Sequence, residues 1–448
     1  MRLCLVASKP TDSVIFGFLP AAAKLGLDVV LLTDQPEEHK RAQARSRLQP
    51  RPGCAGHDEG HRPDPVPAGN TGQVRNTGLL GDTGRVRILE CDVWDARQLI
   101  CAIAALPAPD AIFSNSDHLQ TQTALAAAYF GVPGKDWRSS MRAKNKSLMR
   151  LRLAETGTEH VAAVEIRHRA PDTFSADHPL SGLAYPVVLK PAEGVASEDV
   201  ILVRSPQELE EQSARIFARR PGETLLAEEY LPGGLRTLET LGDGVTTWVL
   251  GGFRTSLSPL PFFIEERLTW DALVPDEGKK HVLGALAELG ATFGACHTEY
   301  VLDAGNSPAL IEVNDRIIGD DCDFVLSDLL GVDLFELVLR IYLGEPLPPG
   351  PPPEPVPGRA HAIIDYVVAD RSGFLAASPS AGPQRSTEPD VMLSYRPLRE
   401  VGDRITLTHT NRDYLGVITA IGPESAPVEL SVAALRTAAN WDITESGS

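Results

Sequence analysis

The stretch "LIEVNDRIIGDD", residues 310–321, reads as a buried strand, yet it carries Glu312 and Asn314 two positions apart. Side chains alternate along a strand, so these two share one face while Ile311 and Val313 pack on the other. Upstream, "CHTEYVLDAGNSPALIEVN" is another strand and a turn leading into the first. A hairpin symmetric about residues 305 and 306 sets Glu299 directly opposite Glu312. Opposed carboxylates repel across a ladder. A hard divalent cation removes that cost, because Mg²⁺ takes oxygen ligands and lets substrate phosphates complete its octahedron. The alternative is a solvent-facing polar row in a slipped register.

Cations suited to phosphate lie elsewhere in the chain. Lys190 closes the apolar run "YPVVL", where a charge is costly to bury unless it meets an anion. Lys146 opens an amphipathic helix, where a solvated first-turn lysine is the alternative. Arg316, just past the acidic strand, offers a planar fork for carboxylate or phosphate; a surface arginine is the alternative. Asp320 and Asp321 come next, able either to hold an ammonium group or to sit in an acidic loop and cap a helix.

Several elements must position these residues. The first segment alternates "LCLVA", the helix pattern "GFLPAAAKLG" and the apolar strand "DVVLLT", and later "VRILE", "ARQLICAIAAL" and "DAIFSN". This is the βαβ signature of a parallel sheet, and it predicts a Rossmann-like α/β domain over 1–135. The region lacks G-x-G-x-x-G, so a dinucleotide is not indicated. Residues 136–345 read as α+β, with "AKNKSLMRLRLAETG" a helix and "YPVVLKPAEGVASEDVILVRS" a hairpin. The run "PLPPGPPPEPVP" over 346–357 predicts a stiff linker, and 358–440 a small β-rich domain.

Composition narrows the classes. At 448 residues, 43% hydrophobic and 23% charged, the chain is that of an ordinary globular protein of two or more domains. A net charge of −18 argues against nucleic acid and anionic membrane as partners. No apolar run reaches the ~20 residues of a membrane-spanning helix. The six cysteines are scattered, which fits reduced thiols and a cytoplasmic location. Residues 50–85 are rich in Gly, Pro, Asn, Thr and Arg and predict a disordered surface insertion. Within them, Cys54, His57, Asp58 and His61 form an alternative metal site.

The order of Lys146 in "NKSLMR", Lys190 in "VVLKPAEGVAS", "AEEYLPG", Glu299 and then "EVNDR" resembles the ATP-grasp superfamily over residues 1 to about 345. The resemblance implies an N-terminal α/β domain followed by two α+β subdomains that clamp ATP. It implies that Lys146 and Lys190 hold the nucleotide phosphates, and that Glu228, Glu229 and Leu231 meet the base or ribose, partly through backbone. It makes Glu299, Glu312 and Asn314 the ligands of Mg²⁺, with Mn²⁺ as a substitute, and Arg316 the group that steadies an acyl phosphate. It also implies a lid subdomain at about 160–230, in which Ser197 and the amides of 194–197 fold over the phosphates. Within the superfamily, "PTDS", "LETLGDG" and the C-terminal piece look most like the amino-acid ligase branch, including siderophore-biosynthesis members.

The implied chemistry is phosphorylation of a carboxylate by ATP, attack of an amine on the acyl phosphate, and release of ADP and phosphate. Lys190 and Arg316 are the catalytic candidates, with Arg316, Asp320 and Asp321 toward the substrate. Substrates are a small-molecule carboxylate and amine, an amino acid or hydroxy acid among them, and a homodimer is left open. There are departures. The lid "PAEGVASED" has a single glycine, Leu235 stands where an acidic residue is common, and Asp315 stands where proline is frequent, expected to be without consequence. Two other readings stand beside the ligase: a degenerate ATP-binding module without turnover, and a bicarbonate-using carboxylase-like enzyme.

Overall fold

The computed structural model describes residues 1–48, 86–168, 179–271 and 273–445. The segment at about 50–85, with Cys54, His57, Asp58 and His61, lies outside the described residues. The N-terminal part is a four-stranded parallel sheet in the order Val86–Glu90, Asp28–Thr33, Arg2–Val6, Ala111–Phe113. Along Arg2–Val6, Leu3 and Leu5 face one hydrophobic cluster while Cys4 and Val6 face another. A parallel strand covered on both sides needs such a continuous apolar run. On one side the helix Leu334–Tyr342 returns from far along the chain. A Cβ at Gly17 would lie 2.4 Å from the ring of Phe335, so this approach requires glycine.

The lid is an antiparallel sheet in the order Ala163–Arg167, Thr224–Glu229, Val187–Pro191, Ile201–Val203. The helix Pro206–Arg219 covers it through Leu209, Ile216 and Phe217. The helix starts cleanly because Ser205 caps it, its side chain accepting from the Glu208 amide at 3.2 Å.

The central sheet has nine strands, in the order Pro308–Asn314, Phe293–Leu302, Gly234–Asp243, Thr247–Leu257, Glu265–Asp271, His361–Val368, Tyr414–Gly422, Met392–Pro397, Gly382–Pro383. Its last four strands lie beyond the proline-rich stretch. Strands of 358–440, expected as a small β-rich domain, therefore continue the central sheet. His361–Val368 pairs antiparallel with Glu265–Asp271, with Arg267 opposite Asp365, and Arg267 Nε donates to Asp365 at 2.6 Å. The stretch 346–357 is also docked, with the Val356 amide donating to the Leu329 carbonyl at 2.9 Å. This half contains a 14-residue helix, Ser425–Ala438, packed through Val428 and Val432. Among the described residues, no helix is long and apolar enough to cross a membrane.

Candidate active site

All three of these sheets open onto one cavity of about 830 Å³, within the ~300–1,000 Å³ typical of ligand pockets. The parallel sheet contributes the carboxyl ends of its strands, through Lys9, Asp34 and Asn115 to His118, where open α/β sheets place their ligands. The lid contributes Val188, Lys190 and the loop Gly194–Ser197, and the central sheet brings Glu299, Glu312, Asn314 and Arg316. The C-terminal strands add Tyr366, Arg396, Leu398, Asn411 and Arg412.

The acidic hairpin has the register its sequence predicts: Glu299 is opposite Glu312, and His297 is opposite Asn314. One detail differs. The register shifts next to Glu299, so Tyr300 pairs with Leu310 and not with Ile311. This bulge turns Leu310 and Val313 into the core, and Ile311 lines the cavity beside Glu312. Strict alternation fails there because a bulge sets two residues against one.

Each carboxylate of the pair is matched by a protein cation. Lys146 Nζ donates to Glu312 Oε1 at 2.9 Å, and His297 Nε2 lies 3.5 Å from Glu299 Oε1. His297 is itself held by Glu239 on the neighbouring strand, Nδ1 to Oε1 at 2.8 Å. Burial alone would depress the imidazolium, but Glu239 and then Glu299 outweigh it and raise its pKa to about 10. Burial would raise the Glu299 pKa, yet His297, Lys146 and Arg316 bring it below the usual carboxylate range. The alternating "HTE" carried this signal, since His297 and Glu299 share a face; the partner Glu239 was not foreseen.

The lysines are not surface residues. Lys146 is 4% exposed and also donates to the Gly194 carbonyl at 3.1 Å. Burial would lower its pKa, but Glu312 raises it above the ordinary lysine value. Lys190 Nζ donates to Glu228 Oε1 at 2.7 Å, and Arg150 Nε donates to Glu228 Oε2 at 2.6 Å. Arg150 also binds Glu159 at 2.5 Å and the Leu310 carbonyl at 2.6 Å. The Glu228 side chain, expected to meet the base or ribose, lines the cavity and is a buried hub shared by these two cations. Burial works against its ionisation, but Lys190 and Arg150 hold its pKa down at about 2. Burial, with Arg150 and Lys146 close by, depresses Lys190. Glu229, Leu231 and Ser197 line the cavity, and the Ser197 hydroxyl donates to the Phe263 carbonyl at 2.8 Å.

Arg316 lines the cavity; among the described residues it makes no ion pair, and its guanidinium donates to the Ile317 carbonyl at 2.8 Å. Asp315 beside it is consequential, contrary to expectation. Its carboxylate accepts from buried Lys135 at 2.6 Å and from Ser140 at 2.8 Å, anchoring the strand end. Asp321 is also corrected. It is 3% exposed and accepts from Arg396 Nε at 2.7 Å, while Arg396 reaches Asp12 at 2.7 Å. That carboxylate is committed to a guanidinium from the C-terminal strands and is not a free ammonium site. Asp320, on left-handed backbone at φ 54°, lines the cavity without an ion pair among the described residues.

One acidic residue was missed. Glu265, at the start of its strand, faces the cavity, and burial followed by Glu299, Asp320 and Glu312 raises its pKa to about 8. Nothing in "PFFIEERLTW" distinguishes it from a solvated glutamate; only the tertiary fold brings it to the acids. Among the described residues, no group of three or more His, Cys, Asp or Glu side chains is gathered as a metal cluster. The donor set Glu299, Glu312 and Asn314 is two carboxylates and a carboxamide, all oxygen-bearing, which fits a hard cation.

A parallel α/β domain, an antiparallel lid and a larger antiparallel sheet closing on one cavity define the ATP-grasp fold, and this chain adopts it. Its structure is similar to an L-amino acid ligase from Bacillus licheniformis, with TM-score 0.73 and 21% identity over 99% of this chain and 98% of that one. It is also similar to phosphoribosylglycinamide synthetase from Anaerococcus prevotii, with TM-score 0.66, 13% identity and 99% of both chains covered. A third is an N5-carboxyaminoimidazole synthetase from Staphylococcus aureus solved with ADP, with TM-score 0.63, 13% identity, and 97% and 96% covered. In sequence, the uncharacterized protein y4rH of Sinorhizobium fredii is 26% identical over 333 residues, 70% of this chain. The match spans 64% of that relative's length. No family model matches the chain.

Proposed function

We propose that this protein is an ATP-dependent carboxylate–amine ligase that activates its carboxylate as an acyl phosphate. The observation that carries the reading is the convergence in one cavity of Lys146, Lys190, the pair Glu299 and Glu312, Asn314 and Arg316. These groups come from the lid, the helix Lys146–Glu155 and the acidic hairpin. Lys146 and Lys190 take the phosphate chain of ATP. The oxygen atoms of Glu299, Glu312 and Asn314 would hold Mg²⁺, which would supply neutralisation of charge on the transferring phosphoryl group. Lys146 would then pass from Glu312 to phosphate, a short exchange of one anion for another.

A substrate carboxylate oxygen attacks the terminal phosphorus and ADP leaves. The amine then attacks the acyl carbon, and phosphate departs with the C–O electron pair. Arg316 faces the developing oxyanion with a guanidinium not engaged by any carboxylate among the described residues. Asp320 is the carboxylate placed to receive an ammonium group, which favours an amino acid among the substrates. The likeness to the L-amino acid ligase supports the same substrate class, and a role in siderophore-type metabolism belongs to the same proposal.

The test is a panel of amino acids and hydroxy acids scored for ADP release with MgATP. A carboxylate alone should yield a hydroxamate when hydroxylamine is present. Formation of AMP and pyrophosphate overturns the mechanism. Tight ATP binding with no carboxylate-dependent ADP from any of the panel points to a binding module.

A further inference from the structure

The lid loop between Val187–Pro191 and Ile201–Val203 is held at both ends by different parts of the chain. At its root, Asn145 Nδ2 donates to Glu193 at 2.8 Å and the Lys146 amide to the Ala192 carbonyl at 2.9 Å. Its tip is held from the far end of the sequence. The Asn411 amide donates to the Ala196 carbonyl at 3.1 Å, and Arg412 Nη2 donates to Glu198 Oε2 at 2.9 Å. The Asn411 side chain also grips the cavity wall: its Oδ1 accepts from the Glu265 amide at 3.2 Å, and its Nδ2 donates to Glu265 Oε2 at 3.3 Å. His409 stacks on Phe262 at 4.2 Å, in the same turn whose Phe263 carbonyl accepts from Ser197.

This gripping loop is stiff. The buried Asp413 carboxylate accepts from the Thr408 amide at 2.9 Å, the His409 amide at 2.7 Å and the Thr408 hydroxyl at 2.6 Å. The lid tip has ion pairs of its own, Arg219 to Asp199 and Arg220 to Glu198, yet its backbone is strained. Ala196, Ser197 and Asp199 all have positive φ, between 53° and 59°, a conformation that costs non-glycine residues free energy unless neighbours enforce it. The strained tip is thus held by a loop about 215 residues further along the chain.

We propose that the loop at 409–412 is a clasp that keeps the phosphate lid shut, with Asn411 as the positioning residue joining lid closure to the Glu265 carboxylate in the cavity. The inference rests on the reading of 192–200 as the loop over the nucleotide phosphates. Arg412 is more than half exposed, so its ion pair is the weaker part of the clasp. The Asn411 bonds and the His409–Phe262 stack are the stronger part. On this account the C-terminal strands take part in every opening and closing of the site.

Hydrogen exchange on the full chain decides it. In Asn411→Asp the Nδ2 donor to Glu265 Oε2 is lost. In Arg412→Ala only the exposed pair is lost, so this variant folds even where the first does not. Without nucleotide, the amides of 195–200 should exchange about tenfold faster in Asn411→Asp and measurably faster in Arg412→Ala, while Asp28–Thr33 keeps its wild-type protection. With MgADP as probe, release should quicken in the same order. Unchanged exchange at 195–200 in both variants overturns the clasp. Wild-type protein that protects 195–200 but takes up neither MgADP nor MgATP overturns the nucleotide reading and leaves the clasp standing.

Discussion

Glu228 shows how one residue sets the character of the cavity wall around Lys190. It is 2% exposed and its two oxygens serve two cations, Lys190 and Arg150. Removing a cation leaves the carboxylate with the other partner, whereas removing the carboxylate leaves two buried cations facing each other. Lys190→Ala should therefore fold and lose a charge-assisted contact with ATP, about 1.5–3 kcal/mol by calorimetry with a non-hydrolysable analogue. Glu228→Leu should instead lose about 3–5 kcal/mol of folding free energy in urea. Equal destabilisation by the two substitutions would show that Lys190 is a structural partner only.

At the scale of elements, the central sheet carries a ladder of ionic side chains across three strands: Glu239, His297 with Glu299, and Glu312. The raised His297 pKa means its contribution to stability is full below the ordinary histidine value of 6.5 and is lost as pH rises through about 10. Glu265, from the strand Glu265–Asp271, acts in the same direction. The folded chain keeps its proton up to about pH 8, while the unfolded chain releases it near the ordinary value of 4.5, so stability falls as pH climbs between them. The metal-free protein should have a higher urea midpoint at pH 6 than at pH 9. Glu265→Gln should flatten the part of the slope below pH 8, and an unchanged slope in that variant would remove Glu265 from the acid group.

For the whole molecule, the decisive feature is that both sides of the proline-rich stretch share one sheet. Cutting the chain after residue 345 would uncover the edge of Glu265–Asp271, which pairs with His361–Val368 across Arg267–Thr269. It would also remove Tyr366, Arg396 and Asn411 from the cavity wall. An exposed, unpaired strand edge promotes association, so the truncated protein should be recovered mainly as aggregate. A soluble, monodisperse 1–345 fragment that binds MgATP as tightly as the full chain would show that the C-terminal strands are dispensable. The outcome bears on the clasp as well, since the truncation deletes it.

What the sequence determined by itself is local in origin. Alternation within "CHTEYVL" and "LIEVN" placed Glu299 opposite Glu312 and on one side with Asn314, because a short hairpin leaves few registers. The apolar run "YPVVL" ending in Lys190, and the βαβ rhythm of the first segment, were legible for the same reason. The tertiary structure decided the rest. The bulge at Ile311 depends on packing of Leu310 and Val313 against helices. The hub at Glu228, the capture of Asp321 by Arg396 and the burial of Asp315 with Lys135 join residues 38 to 180 positions apart. An unpaired charge in a sequence looks the same whether water or a distant partner will neutralise it. The proline-rich stretch misled for a related cause: its stiffness says nothing about where the chain beyond it lands, and backbone pairing with the open edge of Glu265–Asp271 settles that.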